Sequence, residues 1–322
     1  MNNNPLFSVL IANYNNKNYL EECVNSVLCQ TYANWEIIIV DDFSTDNPDE
    51  IYNSLVKNSR IKVYMNEQNR KTAYTFSKAL SRSKGEICGF LGPDDTLEKT
   101  ALEKTIKKHL QFPECGIVYT LNYICDHSLN IIELTKWGGM LPSHKSQLTA
   151  SAGEKITSFA TFKKNIFERT EGINSKFTRA FDQDFYFKME EVAPICFINE
   201  PLYFYRIHNR NISLNENHAK AWYWSYIASK DAYFRRKKGK IKIPNITFSI
   251  LQRRYLKVCL LKIDEKLRTR KYRNILYYYF QISWLFFWDK NFLIFKAHVF
   301  FIKRILLRNF RSNYEDFALQ YN

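Results

Sequence analysis

Two stretches of the chain end an apolar run in adjacent carboxylates. One is IIIVDDFSTD at 37–46, with Asp41 and Asp42, and the other is ICGFLGPDDT at 87–96, with Asp94 and Asp95. Neighbouring carboxylates repel, so each pair needs a helix N-terminus, a cation or a hydrogen-bonding ligand. For Asp41–Asp42 two uses stand open: capping a helix that begins near Ser44, Thr45 and Asp46, or accepting hydrogen bonds from a nucleotide base or ribose. For Asp94–Asp95 the choices are an N-cap ahead of Thr96 and Leu97, or a seat for a hard divalent cation whose shell is completed by diphosphate oxygens. The chain has no G-x-G-x-x-G after its first strand and no G-x-x-x-x-G-K-[ST], which argues against a dehydrogenase-type dinucleotide fold and against P-loop chemistry.

The elements that must hold these pairs alternate in an α/β manner over the first ~110 residues. FSVLIANY, WEIIIV, IKVYM and EICGFL read as strands. KNYLEECVNSVLCQ reads as a helix with Leu20, Val24, Val27 and Leu28 on one face, a second helix is expected from Asp46, and TAYTFSKALSRS makes a third. Short apolar strands separated by helices predict a parallel sheet covered on both faces. Ligands of such sheets sit beyond the carboxyl ends of the strands, where both Asp pairs stand. A helix is predicted from Thr96 to Gln111, then strand GIVYT, a loop rich in small residues around Gly138, Gly139 and Pro142, a helix over 154–168, a helix in FDQDFYFKMEEV and a strand in PLYFYRIH. Beyond Ser213 the pattern is long and helical.

The 322 residues suffice for one α/β domain with an appendage, and 46% hydrophobic with 25% charged residues is a globular composition. The net charge of +15 is uneven. From Arg235 onward there are 21 Lys/Arg against 5 Asp/Glu, whereas the preceding residues carry 26 against 27. That asymmetry, in a tail dense in Tyr, Phe and Trp, predicts contact between the tail and a polyanionic surface. The seven scattered cysteines suit buried free thiols in a reducing compartment. MNNNPLFSVL shows no charged n-region followed by an apolar core, so cytoplasmic residence is expected.

SVLIANYNNKNYLEECVNSVLCQTYANWEIIIVDDFSTD resembles the opening of the family 2 inverting glycosyltransferases, which have the GT-A fold. SKGEICGFLGPDDTLEKTALEK is similar to that family's metal-binding segment, RAFDQDFYFKM to its catalytic-base helix, and LYFYRIHNRNIS to its later Tyr-Arg-x-His motif. The resemblance runs over roughly residues 6–213 in the family's order. It implies a GT-A (Rossmann-like) nucleotide-sugar-binding domain over 1–214 and a mainly helical, basic region over 215–322. It further implies that Asp42 contacts uracil, that Ala12 and Tyr14 frame the base, that Asp94 lies near the ribose, and that Asp95 and His208 hold Mn²⁺ or Mg²⁺. Asp182 is implied as the catalytic base, and Arg206 faces the diphosphate. The chain departs from the family at Ala12, where Pro or Thr is usual, at Gly92, where an acid is frequent, and at Phe181, where an acid often precedes the base.

The expected reaction is metal-dependent inverting transfer from a nucleoside-diphosphate sugar, with UDP as the nucleotide, to a hydroxyl of a glycan. By analogy with the family the acceptor is lipid-linked, in bacterial surface polysaccharide synthesis. Residues 272–288 are apolar but short for a span of ~20 residues. Residues 292–311 mix aromatic and aliphatic side chains with Lys296, Lys303, Arg304, Arg308 and Arg311, a pattern suited to an anionic membrane surface on the cytoplasmic face. Packing of these aromatics on the catalytic body is the alternative. A nucleic-acid-binding tail is the rival class, and it leaves both Asp pairs unexplained, so no nucleic acid is expected. A catalytically inactive partner subunit is the third reading, kept open by Gly92 and Phe181. The remaining histidines lack ligand spacing, Asp184 is expected to support its helix start, and Trp137 is expected to pack within its loop.

Overall fold

In the computed structural model, residues 4–150, 155–157, 159–208, 218–241, 248–268 and 275–288 are described. Strand β1 (Phe7–Asn13) pairs in parallel with β2 (Trp35–Asp41) and β4 (Ile87–Leu91), and β2 with β3 (Ile61–Met65). Their β-branched residues suit a pleated surface buried on both sides. Between them run α1 (Lys17–Leu28), α2 (Asp49–Leu55) and α3 (Lys71–Arg82). The alternation of side chains along β1 divides the core. Phe7, Val9 and Ile11 pack with Leu20, Val24 and Val27 of α1, while Leu10 packs with Phe76, Ala79 and Leu80 of α3. The expectation of a sheet covered on both faces holds.

The second half corrects the reading of a purely parallel sheet. The described strands form a nine-stranded mixed sheet in the order β3-β2-β1-β4-β8-β6-β9-β5, with β7 paired to β6. Thr96 does not start a helix. Thr96–Leu97 form the short strand β5, antiparallel to β9 (Ile195–Arg206), and α4 begins only at Ala101 and runs to Gln111. The predicted helix over 154–168 is instead, within the described residues, strand β8 (Ala160–Lys163) and the short helix α5 (Lys164–Phe167). All four residues of β8 are buried between β4 and β6 (Ile117–Cys125), where pairing on both sides overrides helical propensity. Edge strand β7 (Ile131–Leu134) precedes an exposed Trp137, which does not pack as expected.

Cys115 and Cys196 are joined in a disulfide, so the reading of seven free thiols is corrected to five. Their separation of 81 residues hides the pairing in sequence, and they meet because β9 returns alongside β6. The support that unpaired thiols lent to a reducing compartment is removed with them.

Helix α6 (Phe181–Glu190) covers the sheet near β4 and is covered in turn by α7 (His218–Lys238). An expected boundary at 214/215 falls among residues outside the described set. On its far side, α7 is built into the catalytic body. The Arg236 guanidinium, 2% exposed, donates to Glu191 at 2.7 Å, Glu190 at 2.8 Å and the Phe187 carbonyl at 3.0 Å. Arg235 grips Glu191 at 2.6 Å. Two of the tail's cations are therefore spent internally. Helices α8 (Phe248–Arg268) and α9 (Ile275–Trp288) follow, and no described helix is long and apolar enough to cross a membrane.

Candidate active site

The ends of β1 and β2 are laced together by their own side chains. Asp41 is fully buried, its Oδ2 accepting from the Tyr52 hydroxyl at 2.5 Å and from Asn13 at 3.1 Å, its Oδ1 from the Ser44 N–H at 2.7 Å. Asp46 accepts from the Lys17 N–H at 2.8 Å, at the first turn of α1, and so caps a helix other than the one that follows it. Asp42 does the same for α3. Its Oδ1 accepts from the Arg70 N–H at 2.7 Å and from Asn66 at 2.8 Å, and its Oδ2 from the Lys71 N–H at 2.8 Å. Capping and ligand binding are thus not exclusive at this position, because the capped turn is itself a wall at the strand ends. Ala12 is half-buried within β1, and Tyr14 just beyond it is 44% exposed. Asn15, Phe43 and Lys71 all carry positive φ, at 55°, 67° and 70°, so three loops here hold strained backbone together.

At the end of β4 the division of labour differs from the expected one. Asp95 is 4% exposed, and its Oδ2 accepts from the Tyr203 hydroxyl at 2.5 Å, its Oδ1 from the Arg206 N–H at 2.8 Å. Burial, reinforced by the charge of Asp94, pushes its carboxyl well above the usual carboxylate range. The carboxylate standing beside His208 is that of Asp94, with Oδ2 and Nε2 sharing a hydrogen bond of 2.8 Å. His208 thus meets Asp94, the residue expected near the ribose, while Asp95, expected on the metal, is engaged with Tyr203 and Arg206 of β9. Among the described residues no group of three His, Cys, Asp or Glu stands ready to hold a metal. Asp94 and His208 form a two-donor half-site, which fits a hard cation whose shell is completed by substrate oxygens and water.

Gly92 is explained by contact. A Cβ there would lie 2.5 Å from Asp95 Oδ2 and 3.1 Å from Asp94 Oδ1, so the acid that the family often carries has no room beside this pair. Arg206, expected to face the diphosphate, is held by protein groups. It is 2% exposed, and its guanidinium donates to the Asp94 carbonyl at 2.7 Å, the His127 carbonyl at 2.5 Å and Glu22 at 2.6 Å, while lying 4.6 Å from the Tyr19 ring centroid. Its work is to hold the turn that aims Asp94. The Tyr19 ring also packs on His208, with centroids 5.1 Å apart.

Asp182 sits in the first turn of α6, after Ala180 at φ 52°. Burial raises its pKa, offset in part by the Gln183 N–H donating to it at 2.9 Å. Phe181 replaces the expected acid and stacks on Phe76 at 5.3 Å and edge-on to Phe90 at 5.7 Å, building an aromatic wall beside the carboxylate. Burial, and then the charges of Asp95, Asp94 and Asp182, raise the Tyr205 hydroxyl. Asp184 pairs with Lys188 at 2.7 Å, one turn further along α6.

Sequence reasoning missed Tyr19, Glu22, Asn66 and Tyr203. Tyr19 and Glu22 carried a signal, since i,i+3 spacing puts them on one face of α1. Tyr203 carried one too, two residues from Tyr205 on the same strand face as Tyr205.

The model of the family described as Glycosyl transferase family 2 matches residues 8–170. The hyaluronan synthase of Pasteurella multocida is 31% identical over 223 residues, 67% of this chain and 22% of that protein. A putative teichuronic acid biosynthesis glycosyltransferase, TuaG of Bacillus subtilis, is 42% identical over 117 residues, 36% of this chain and 46% of that one. The crystal structure of S. aureus TarS 1-349 in complex with UDP-GlcNAc superposes with a TM-score of 0.57 at 15% identity, covering 83% of this chain and 74% of that one. The chain spans about a fifth to a third of the length of the first curated relatives it matches. Strand order, strand-end carboxylates and matched segment agree: the chain belongs to glycosyl transferase family 2, with the GT-A fold.

Proposed function

We propose that this protein transfers a sugar from a nucleoside-diphosphate donor, with UDP as the nucleotide, to a hydroxyl of a glycan, inverting the anomeric configuration. The observation that carries the reading is the Asp94–His208 half-site beyond the end of β4, with Asp182 in the first turn of α6, the helix whose Phe181 and Phe185 pack on Phe90 of that strand. Ala12, Tyr14 and the Asp42-held turn would frame the base. Asp94 and His208 would hold Mn²⁺ or Mg²⁺, which supplies Lewis-acid neutralisation of the leaving diphosphate. Asp182 accepts the acceptor's hydroxyl proton as that oxygen bonds to the anomeric carbon. The bond from that carbon to the diphosphate oxygen breaks on the opposite face, and the nucleoside diphosphate departs with the electron pair. A carboxylate whose pKa is raised by burial is better matched to this task than an exposed one. The names of the relatives, a hyaluronan synthase and a teichuronic acid glycosyltransferase, support surface polysaccharide as the product class.

A thermal-shift panel of nucleotide-sugars with and without Mn²⁺ tests this, since ligands that bind the native state raise its melting temperature. UDP-sugars should give the largest rise, and the rise should need Mn²⁺. A panel in which no nucleotide-sugar shifts the transition overturns the reading.

We also propose peripheral contact of the tail with the cytoplasmic face of an anionic membrane, where a lipid-linked acceptor would be met. Residues 292–311, which motivate it, lie outside the described residues. Flotation with anionic but not neutral liposomes at low salt supports it, and equal flotation with both overturns it.

A further inference from the structure

Helix α6 carries the Asp182 carboxylate in its first turn, and its N-cap residue cannot fasten that turn. Ala180 has no polar side chain to accept from a free helical N–H, and its φ of 52° makes a strained entry. The starts of α1 and α3 are treated otherwise. There Asp46 and Asp42 accept from the N–H groups of Lys17 and Lys71, so a carboxylate from the turn after β2 caps each helix. A first turn without such a cap frays, and here fraying would move the carboxylate. Asp182 itself accepts from the Gln183 N–H at 2.9 Å.

The fastening comes from α7 and α8. The Ser225 hydroxyl of α7 donates to Gln183 Oε1 at 2.7 Å, which ties the residue beside Asp182 to a buried serine. One turn on, Ser229 Oγ donates to the Ser225 carbonyl at 2.7 Å. Ser229 Oγ in turn accepts from the Arg254 guanidinium of α8 at 2.7 Å. Arg254 is anchored on its other side, where it donates to the Leu148 carbonyl at 3.0 Å. A continuous chain of hydrogen bonds therefore runs from α8 through α7 to the first turn of α6. Ala228 and Ala232 of α7 pack in one cluster with Phe177 and with Phe187 of α6. Arg236 holds the far end of α6 through Glu190 and Glu191, so α7 grips that helix at both ends.

We propose that Ser225 is a positioning residue for Asp182, acting through Gln183, and that Ser229 and Arg254 hold Ser225 in place. This role rests on the reading of Asp182 as the base, and it makes α7 and α8 part of the catalytic apparatus. A base must keep its oxygen aligned with the attacking hydroxyl, and a misplacement of about 1 Å costs on the order of 10²-fold.

Two measurements on the full chain test the role. Amide hydrogen exchange read by mass spectrometry reports on the first turn directly. Ser225→Ala should speed exchange over residues 181–185 by about fivefold, the scale of one net hydrogen bond, and leave β1 to β4 at wild-type rates. Release of UDP to water, from whichever of UDP-glucose, UDP-N-acetylglucosamine and UDP-glucuronate is turned over fastest with Mn²⁺, reports on the chemistry. Ser225→Ala and Gln183→Met should each lower kcat by about tenfold or more at unchanged donor KM. Their double variant should lose no more than either alone, since both remove one bond. On an Asp182→Asn background, Ser225→Ala should cost nothing further. Wild-type exchange over 181–185 in Ser225→Ala, or losses that multiply in the double variant, would overturn the positioning role. Full turnover in Asp182→Asn would instead remove the base that it serves.

Discussion

The Asp-Asp pairs at the ends of β2 and β4 share a dipeptide and a place in the sheet, yet they are used in opposite ways. At Asp41–Asp42 every named partner is a neutral donor: hydroxyl, amide or backbone N–H from β1, the turn after β2, α2, the end of β3 and the start of α3. The pair is satisfied inside the protein and builds a wall. At Asp94–Asp95 one carboxylate is consumed as mortar between β4 and β9, and the other is left against an imidazole. The first pair is met by neutral donors within the protein, and the second leaves Asp94 facing a titratable ring.

The largest effect should separate them at once. Asp94→Asn should lower transfer by about 10³-fold, the scale of losing a principal electrostatic stabiliser of the leaving group. Its melting temperature should stay near that of wild type, and steady-state transfer assays beside thermal melts check both. An equal loss in Asp41→Asn with the fold intact would dissolve the comparison.

A third carboxylate sharpens it. Asp182→Asn should cost at least about 10²-fold in transfer with donor binding retained. In wild type, turnover should rise with pH through a pKa above the usual carboxylate range, because burial raises Asp182. The same shift fixes a sign for stability. A carboxyl raised in the folded state favours folding fully below its unfolded value, and that contribution is lost as pH rises through the folded value. Asp182→Asn should therefore melt higher than wild type at neutral pH, with the gain fading as the pH falls into the acid range. Melts across that range decide it, and a gain that grows towards acid would contradict the assignment.

Asp41→Asn should act on stability instead. An amide NH₂ would face the donors of Asn13 or Tyr52, and an unmet buried donor costs about 1–3 kcal/mol. Denaturant unfolding measures this, with residual transfer per folded molecule nearly unchanged. The smallest effect is expected at Gly92. Gly92→Ala sets a methyl against Asp95 Oδ2, an overpacking worth about 1 kcal/mol or more. Gly92→Asp should lower transfer, whereas a rise would show that the pair lacks a third acid and not room for one.

Much of the first half of the molecule was legible residue by residue. IKVYM became β3 without change of bounds, and Leu20, Val24 and Val27 are buried as their spacing requires, although Leu28, expected on the same face, is exposed. Local patterns suffice there because each strand meets its neighbours through a short helix, so propensity, periodicity and contact agree. Reading failed where partners come from afar. Residues 160–163 read as helix until β4 and β6 pair on either side, and Cys115 has no visible partner until β9 returns from 81 residues away. The protein partners of Arg206, which are Glu22, His127 and the Asp94 carbonyl, were equally hidden in the sequence. The basic tail reads as one surface until Arg235 and Arg236 turn inward to carboxylates of α6.

The sequence by itself determined that two acidic pairs would stand at the carboxyl edge of an α/β sheet, because apolar runs and turn residues set strand ends locally. That both members of the first pair, and only Asp95 of the second, are buried was decided only in three dimensions. Asp95 is turned inward because Tyr203 and the Arg206 N–H arrive on β9 to solvate it. Asp94 is left for His208 because that histidine lies two residues beyond Arg206, the residue that clamps the turn. A carboxylate's role follows from the donors that reach it, and those donors are brought by pairing across more than a hundred residues of chain.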